Sequence, residues 1–268
     1  MMACMTLTKS AMKELRGLTR KKSREQEGKF IIEGMRLVQE AAESDFSILE
    51  VLHTELIEGD PAGSALLHKL RRKTENIHAA TRKEIDAISG TVHAQGIIAI
   101  ARQKSWPVDA LLGSGGGRRV LVAFDAVSDP GNLGSMVRTC DWFGIDGILV
   151  GENSVELYNP KVLRATMGGI FHLHIAERVD LLAAVTRAKE QGFSVYVTDG
   201  AGETHFDRVH FEGKALIIFG NEAWGVSDQL KGLSDVRVAI RRYGAAESLN
   251  VGVACGIILS ALHRLNDE

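Results

Sequence analysis

The sequence predicts an α/β protein: a small amino-terminal unit followed by a larger one whose parallel sheet is covered by helices on both faces. Three observations carry this expectation. Short, strongly apolar runs such as Val120 to Asp125 and Leu216 to Phe219 alternate with helical stretches along the whole chain, as strands buried on both faces do. A stretch between residues 103 and 118 contains Pro107, Gly113, Gly115, Gly116 and Gly117, a composition that marks a linker with no core of its own. Three strand-to-loop-to-helix junctions combine glycine with polar side chains: Phe124 to Thr139, Ala215 to Ser227 and Arg237 to Leu265. Ligands bind at the carboxyl ends of strands in open parallel sheets, so three such loops imply one composite site.

The elements follow in order. A helix with a basic end is expected over residues 5–25 and a short buried strand over Phe30 to Ile32. A helix through Ala42 follows, with Leu37, Val38, Ala41 and Ala42 as its apolar stripe. Ile48 to Leu52 reads as a strand, Gly63 to Arg72 as a helix, and Ile77 to Ala80 as a strand. Thr81 caps a helix ending near Ile88, and Gly96 to Ala101 completes a unit over residues 1–105. Residues 106–117 form the linker and 118–268 the second domain. There, Val120 to Asp125 leads through the first loop into helix Leu133 to Phe143, and Gly147 to Val150 is the next strand. Asn159 and Pro160 start a helix that Gly168 and Gly169 end. Strand His172 to Ile175, helix Leu181 to Gln191 and strands Ser194 to Thr198 and Leu216 to Phe219 lead to a last strand at Val236, Val238 and Ile240. The closing helix, capped by Ser248 or Asn250, has almost no polar face before His263, which predicts burial on every side.

Composition bounds the function. The usage of 45% hydrophobic and 25% charged residues suits a soluble globular protein. The longest apolar run, Val251 to Leu262, is shorter than the ~20 residues a bilayer requires, so no membrane span is expected. No signal-peptide pattern opens the chain. Cys4, Cys140 and Cys255 are odd in number and far apart, which suits reduced packing thiols in a cytoplasmic protein. His172 and His174 have no partners at metal-ligand spacing, and no metal is expected. The net charge of −2 hides an asymmetry: residues 1–105 hold 17 basic against 14 acidic side chains, and residues 106–268 hold 15 against 20. Arg20, Lys21, Lys22 and Arg24 are nearly consecutive, either a grip for a polyanion or a solvated helix end.

Three motifs in order, Asp129 to Gly144 (DPGNLGSMVRTCDWFG), Phe219 to Ser227 (FGNEAWGVS) and Glu247 to Ala254 (ESLNVGVA), resemble those of the SpoU (TrmH) family of RNA ribose 2′-O-methyltransferases in the SPOUT superfamily. Asn159 to Gly169 (NPKVLRATMGG) resembles the family's intermediate segment, and Phe30 to Ala42 with Thr91 to Arg102 resembles its small RNA-binding domain. The resemblance implies S-adenosylmethionine as methyl donor, S-adenosylhomocysteine as product, a carboxyl-terminal trefoil knot and a homodimer. It implies RNA as partner, ribosomal (23S-type) ahead of transfer RNA.

By the same resemblance Arg138, Asn132, Glu222, Ser248 and Asn250 form the active site, and Phe219, Gly220, Asn221, Ile240 and Leu249 the cofactor side. RNA contacts fall to Arg20, Lys21, Lys22, Arg24, Arg36 and Arg164. Arg138 suits holding a phosphate and stabilising alkoxide charge, because a guanidinium is a poor base. Outside the motif context Asn132 would be a helix cap and Arg138 an ion-pair partner of Asp141. Glu222 has two readings, binding ribose hydroxyls or anchoring Arg138, and Trp224 has two, stacking on a base or packing under its loop. One departure stands out: where the family has proline after the strand isoleucine, this chain has Arg241 and Arg242. The rival readings are a catalytically inactive RNA-binding protein with the same fold and, without a full dinucleotide fingerprint, a nucleotide-dependent oxidoreductase.

Overall fold

The computed structural model describes residues 8–90, 94–113, 117–209, 211 and 213–264, and packs them as two units. One runs to Lys104 and takes in Tyr158–Phe171; the other holds Ser105–Leu157 and the chain from His172. Residues 158–171 thus pack with the first unit, although the chain on either side of them belongs to the second.

In the first unit two helices, α1 (Lys9–Gly17) and α2 (Lys21–Glu27), replace the single helix expected over residues 5–25. Leu18 breaks it: its amide closes onto the Leu15 and Arg16 carbonyls, and its side chain is buried. Then come β1 (Lys29–Glu33), α3 (Met35–Glu43), β2 (Ile48–His53), α4 (Glu55–Gly59), α5 (Pro61–Leu70), β3 (Ile77–Ala79), α6 (Arg82–Ile88) and β4 (Ile97–Arg102). Helix α4 was not expected. Thr81 and Glu84 form a reciprocal capping box on α6. The strands lie in the order β1-β4-β2-β3, with β4 antiparallel to both neighbours and β2 parallel to β3.

The second unit opens with α7 (Val108–Leu112), inside the stretch expected to be linker. Leu111 and Leu112 are buried in the core, and the Trp106 ring lies 4.1 Å from that of His174. The neighbouring glycines concealed a short amphipathic helix. There follow β5 (Arg119–Phe124), α8 (Pro130–Trp142) and β6 (Gly147–Gly151). Helix α9 (Pro160–Thr166) then returns to the first unit. Tyr158, fully buried, packs on Phe30 at 4.4 Å, and its hydroxyl donates to the Lys104 carbonyl (2.5 Å) while accepting from the Lys104 amide (2.8 Å). Phe171 meets Phe46 edge-on at 5.2 Å.

The chain continues through β7 (Ile175–Val179), α10 (Leu181–Glu190), β8 (Phe193–Thr198), β9 (Thr204–His205), β10 (Lys214–Phe219), α11 (Asp228–Leu233), β11 (Val236–Ala239) and α12 (Val251–Arg264). Strand β7 starts where the expected strand His172 to Ile175 ends, because a 3-10 turn occupies Gly169–Phe171. The sheet order is β7-β6-β5-β10-β8-β11-β9, and every pairing is parallel. Helix α12 packs on α8. A Cβ at Gly252 would stand 2.9 Å from the Ser135 Oγ, so glycine permits the close approach there. The expectation that α12 is buried all round fails for this chain: Cys255, Ile258 and Leu259 are buried, but Val253 is 51% exposed. Cys140 and Cys255 are free and buried; Cys4 lies outside the described residues. Among the described residues no helix is long and apolar enough to cross a membrane.

Tyr158→Phe removes the hydroxyl that bonds both the amide and the carbonyl of Lys104, which costs about 1–3 kcal/mol. The urea midpoint of the full-length variant should fall accordingly; an unchanged midpoint would show that the hydroxyl does not hold residues 158–171 in place.

Candidate active site

Strands β5 and β10 are neighbours in register, Phe124 opposite Phe219, so the loops leaving their carboxyl ends start side by side. Asp125 ties them further: its amide donates to the Phe219 carbonyl (2.8 Å), and its carboxylate accepts from the Ser227 amide (2.8 Å). The second loop is a tight turn in which Asn221 and Gly225 exchange backbone hydrogen bonds of 2.9 Å. Glycine is required at 220, where a Cβ would lie 2.1 Å from the Gly225 carbonyl carbon and the Val226 nitrogen. Asn221 is buried: its Nδ2 donates to the Ala126 carbonyl (2.7 Å) and its Oδ1 accepts from the Ala223 amide (2.8 Å). Ala126 itself has φ 56, a strained conformation fixed by this contact.

Glu222 is the hub. Its Oε1 accepts from the Asp129 amide and the Asn132 Nδ2, both at 3.0 Å; its Oε2 accepts from the Ser128 amide (3.2 Å) and hydroxyl (3.0 Å). A carboxylate has about four lone-pair sites, and four donors occupy them. Burial pushes this carboxyl up, but hydrogen bonds from Asn132 and from the main chain of Glu222, Asp129 and Ser128 outweigh it and hold it at about 2. Asn132 extends the network, its Oδ1 accepting from the Asn250 Nδ2 at 2.9 Å. Asn250 in turn caps α12, its Oδ1 accepting from the amides of Gly252 (2.9 Å) and Val253 (3.2 Å).

Of the expected active-site residues, Asn132, Glu222 and Asn250 are brought together. Asn250, not Ser248, is the cap of α12, and Asp129, not Asn132, is the cap of α8, with Pro130 in its first turn. Arg138 stands apart: it is exposed, and its side chain makes no hydrogen bond or ion pair among the described residues. It lies roughly one and two-thirds turns beyond Asn132, so the two face different ways. The pairing of Arg138 with Asp141 does not form, because Asp141 accepts from His172 at 3.0 Å. Glu222 anchors the first loop instead of Arg138.

Of the residues expected on the cofactor side, Phe219 is buried at the end of β10, and Asn221 has its amide and side chain engaged within the loops. Ile240 is half-buried, while residues 241–250, including Arg241, Arg242, Ser248 and Leu249, are all exposed. Trp224 is 67% exposed, so it is not packed under its loop. Of the expected RNA contacts, Arg20, Lys21, Lys22 and Arg36 are exposed, Arg164 is half-buried, and Arg24 is buried with Nη1 donating to the Leu18 carbonyl (2.9 Å). Sequence reasoning missed Ser128 and Asp129; Asp-Pro at a helix start was a legible signal for Asp129, whereas Ser128 had none. Among the described residues no group of three or more His, Cys, Asp and Glu side chains is placed to hold a metal ion. Burial, with Cys255 alongside, pushes the Cys140 thiol well up, which makes it a poor nucleophile.

The polar loops are thus tied together at the carboxyl ends of a parallel sheet, the place where open α/β sheets bind ligands. An S-adenosylmethionine-bound rRNA methyltransferase from Sinorhizobium meliloti superposes with a TM-score of 0.86 at 27% identity, covering 97% of each chain. The SpoU methyltransferase AviRb from Streptomyces viridochromogenes, at 23% identity and TM-score 0.86 over 97% of this chain and 99% of its own, shares the fold. The SpoU rRNA Methylase family matches residues 119–260 and the MRM3-like substrate binding domain residues 9–99. The chain belongs to the SpoU rRNA methylase family. It is 32% identical over 250 residues to the 23S rRNA (guanosine(2553)-2′-O)-methyltransferase RlmP of Bacillus subtilis, covering 92% of this chain and 94% of RlmP. It is 28% identical to the 23S rRNA (guanosine-2′-O-)-methyltransferase RlmB of Xylella fastidiosa, over 85% and 93% of the two chains.

Glu222→Gln tests the hub. The folded carboxyl titrates near 2, below its unfolded value of about 4.3, so its stabilisation is complete above the unfolded value and lost as pH falls toward 2. The variant should unfold about 1 kcal/mol more easily at pH 7, a figure reduced for a water-accessible side chain. That gap should close in urea titrations between pH 4.5 and pH 2; a gap independent of pH would show that the charge is not what holds the loops.

Proposed function

We propose that this chain transfers the methyl group of S-adenosylmethionine to a ribose 2′-hydroxyl of 23S ribosomal RNA, acting as a homodimer in the cytoplasm. The carrying observation is the carboxylate-centred network that draws the three motif loops into one place. The residues fit such a donor: a glycine-requiring turn presents main-chain groups at the end of β10, an ionised carboxylate lies beside it, and Leu249 offers an exposed apolar side chain. S-adenosylmethionine supplies an electrophilic methyl group when bound. Phe219, Gly220, Asn221, Ile240 and Leu249 form its side of the pocket, with Asn221 acting by shaping the turn. Glu222 positions the first loop, and its filled lone pairs argue against ribose binding.

Asn132, Ser248 and Asn250 orient the ribose for in-line displacement. The alkoxide that develops on the 2′-oxygen requires a cation, and the Glu222 network has none. Arg138 fills that role and stabilises charge without acting as the base; the 2′-hydroxyl proton would pass to solvent water as the oxygen takes the methyl group, with S-adenosylhomocysteine as the leaving product. The intact polar set speaks for an active enzyme over a silent RNA-binding protein. The match to the SpoU rRNA Methylase family disfavours the oxidoreductase reading.

The dimer is proposed from the same helices. Trp142, at the end of α8, is 83% exposed, and Val253, in the first turn of α12, is 51% exposed; a second copy would cover both. Sedimentation velocity should give a dimer that Trp142→Glu shifts toward monomer, and a monomeric wild type would refute it.

Tritiated methyl transfer from S-adenosylmethionine to unmodified in-vitro-transcribed 23S rRNA tests the activity. Arg138→Ala should lower kcat about 10²–10³-fold, with cofactor binding by calorimetry retained. Cofactor binding without transfer by the wild type would favour the inactive reading, and full activity of the variant would remove Arg138 from the mechanism.

A further inference from the structure

We infer that a cavity in the first unit, distant in sequence from the motif loops, is a subsite for a single nucleotide of the RNA, its base on an apolar floor and its phosphate at Arg164. The inference rests on the RNA-methyltransferase reading. The cavity, about 280 Å³, is bounded by α2 and the turn before it, by β1, by α3, by the end of α6 and by α9. This is just under the ~300–1,000 Å³ of typical ligand sites, suited to one base with its phosphate. Ile31, Leu37, Ile88 and Leu163 supply apolar surface.

Three cations line the cavity, Arg24, Lys161 and Arg164, against one carboxylate, Glu33. Two of these groups have structural duties. Arg24 is buried and holds the Leu18 carbonyl, while Glu33 accepts from the Ser89 hydroxyl and from the Gly90 amide (3.1 Å), fixing that wall. Arg164 is different. It is half-buried, its side chain makes no hydrogen bond or ion pair among the described residues, and its Nη1 stands 3.6 Å from where a Cβ on Gly90 would be. A guanidinium partly withdrawn from water without a counter-charge recruits an anion, and its planar fork matches phosphate.

The apolar floor suits a base face, and bases splayed from single-stranded RNA are read by stacking in this way. A chain is favoured over a free nucleotide because Thr19, on the cavity wall, leads directly into exposed Arg20, Lys21 and Lys22, which continue the positive charge beyond the cavity.

Filter binding of unmodified in-vitro-transcribed 23S rRNA across a salt series tests this. Arg164→Ala should weaken binding about 10-fold and reduce the log–log salt slope by about one unit, raising KM more than it lowers kcat. Arg164→Lys should recover the slope but not the affinity. Cofactor affinity and thermal midpoint should match wild type, and Lys161→Ala, on the exposed rim, should weaken binding in the same direction. Wild-type binding and slope in both alanine variants would overturn the inference. So would displacement of the RNA by GMP at an affinity equal to the RNA's, which would mark a free-nucleotide site. A wild type that binds RNA but transfers no methyl group would instead refute the proposed activity and leave the subsite standing.

Discussion

One carboxylate meeting four donors sets the geometry at the strand ends. Parallel strands stand about 4.8 Å apart, so the loops after β5 and β10 begin close together without further help, but loops of this length need fixed points to keep a shape. Glu222 provides them by accepting from both backbone and side chains at the start of α8. Because those donors hold its carboxyl at about 2, it remains charged through the neutral range and the clamp does not titrate there. The loop after β11 begins two strands beyond β10, with β8 between. It is reached from above the sheet, where α12 lies on α8 and two asparagine side chains join. Glycine at 252 leaves room for the Ser135 hydroxyl and for the Asn250 Oδ1, both of which a Cβ there would crowd.

The sheet was legible because its strands are apolar on both faces, and the loops were legible because glycine and polar residues interrupt that pattern at strand ends. What escaped the sequence was tertiary. Nothing in Tyr158 or Phe171 as letters says that they pack on Phe30 and Phe46, so the return of residues 158–171 to the first unit was invisible. The glycine run beside α7 masks the apolar Leu111 and Leu112, although those leucines enter the core. An all-apolar α12 pointed to burial, but periodicity cannot distinguish a face covered by the same chain from one left to a second copy.

Charge needed the same correction. Arg20 to Arg24 read as one basic patch, yet helix geometry divides it: Lys21 and Lys22 face water, while Arg24 turns inward to the Leu18 carbonyl. A buried guanidinium with a backbone acceptor is first a structural group. In the site, Glu222 showed the converse. Its residue type suggested ligand binding, but its hydrogen-bonding capacity is already used within the protein, a fact that only the donor count reveals.

Arg138 stands outside the clamp, and its charge is opposite to the clamp's. The clamp consists of a carboxylate, two amides, a hydroxyl and main-chain groups, and its net charge is negative. Such a cluster can hold loops and orient a sugar, but it opposes negative charge building on a nearby oxygen. Transfer to a hydroxyl therefore needs a cation from outside the clamp, at short range and away from bulk water, where a charge has its full effect. Arg138 is exposed on α8 and faces away from Asn132. Under the proposed dimer, covering Trp142 and Val253 would also withdraw the neighbouring Arg138 from water and set it against a second copy. Association and catalysis would then depend on the same helix face.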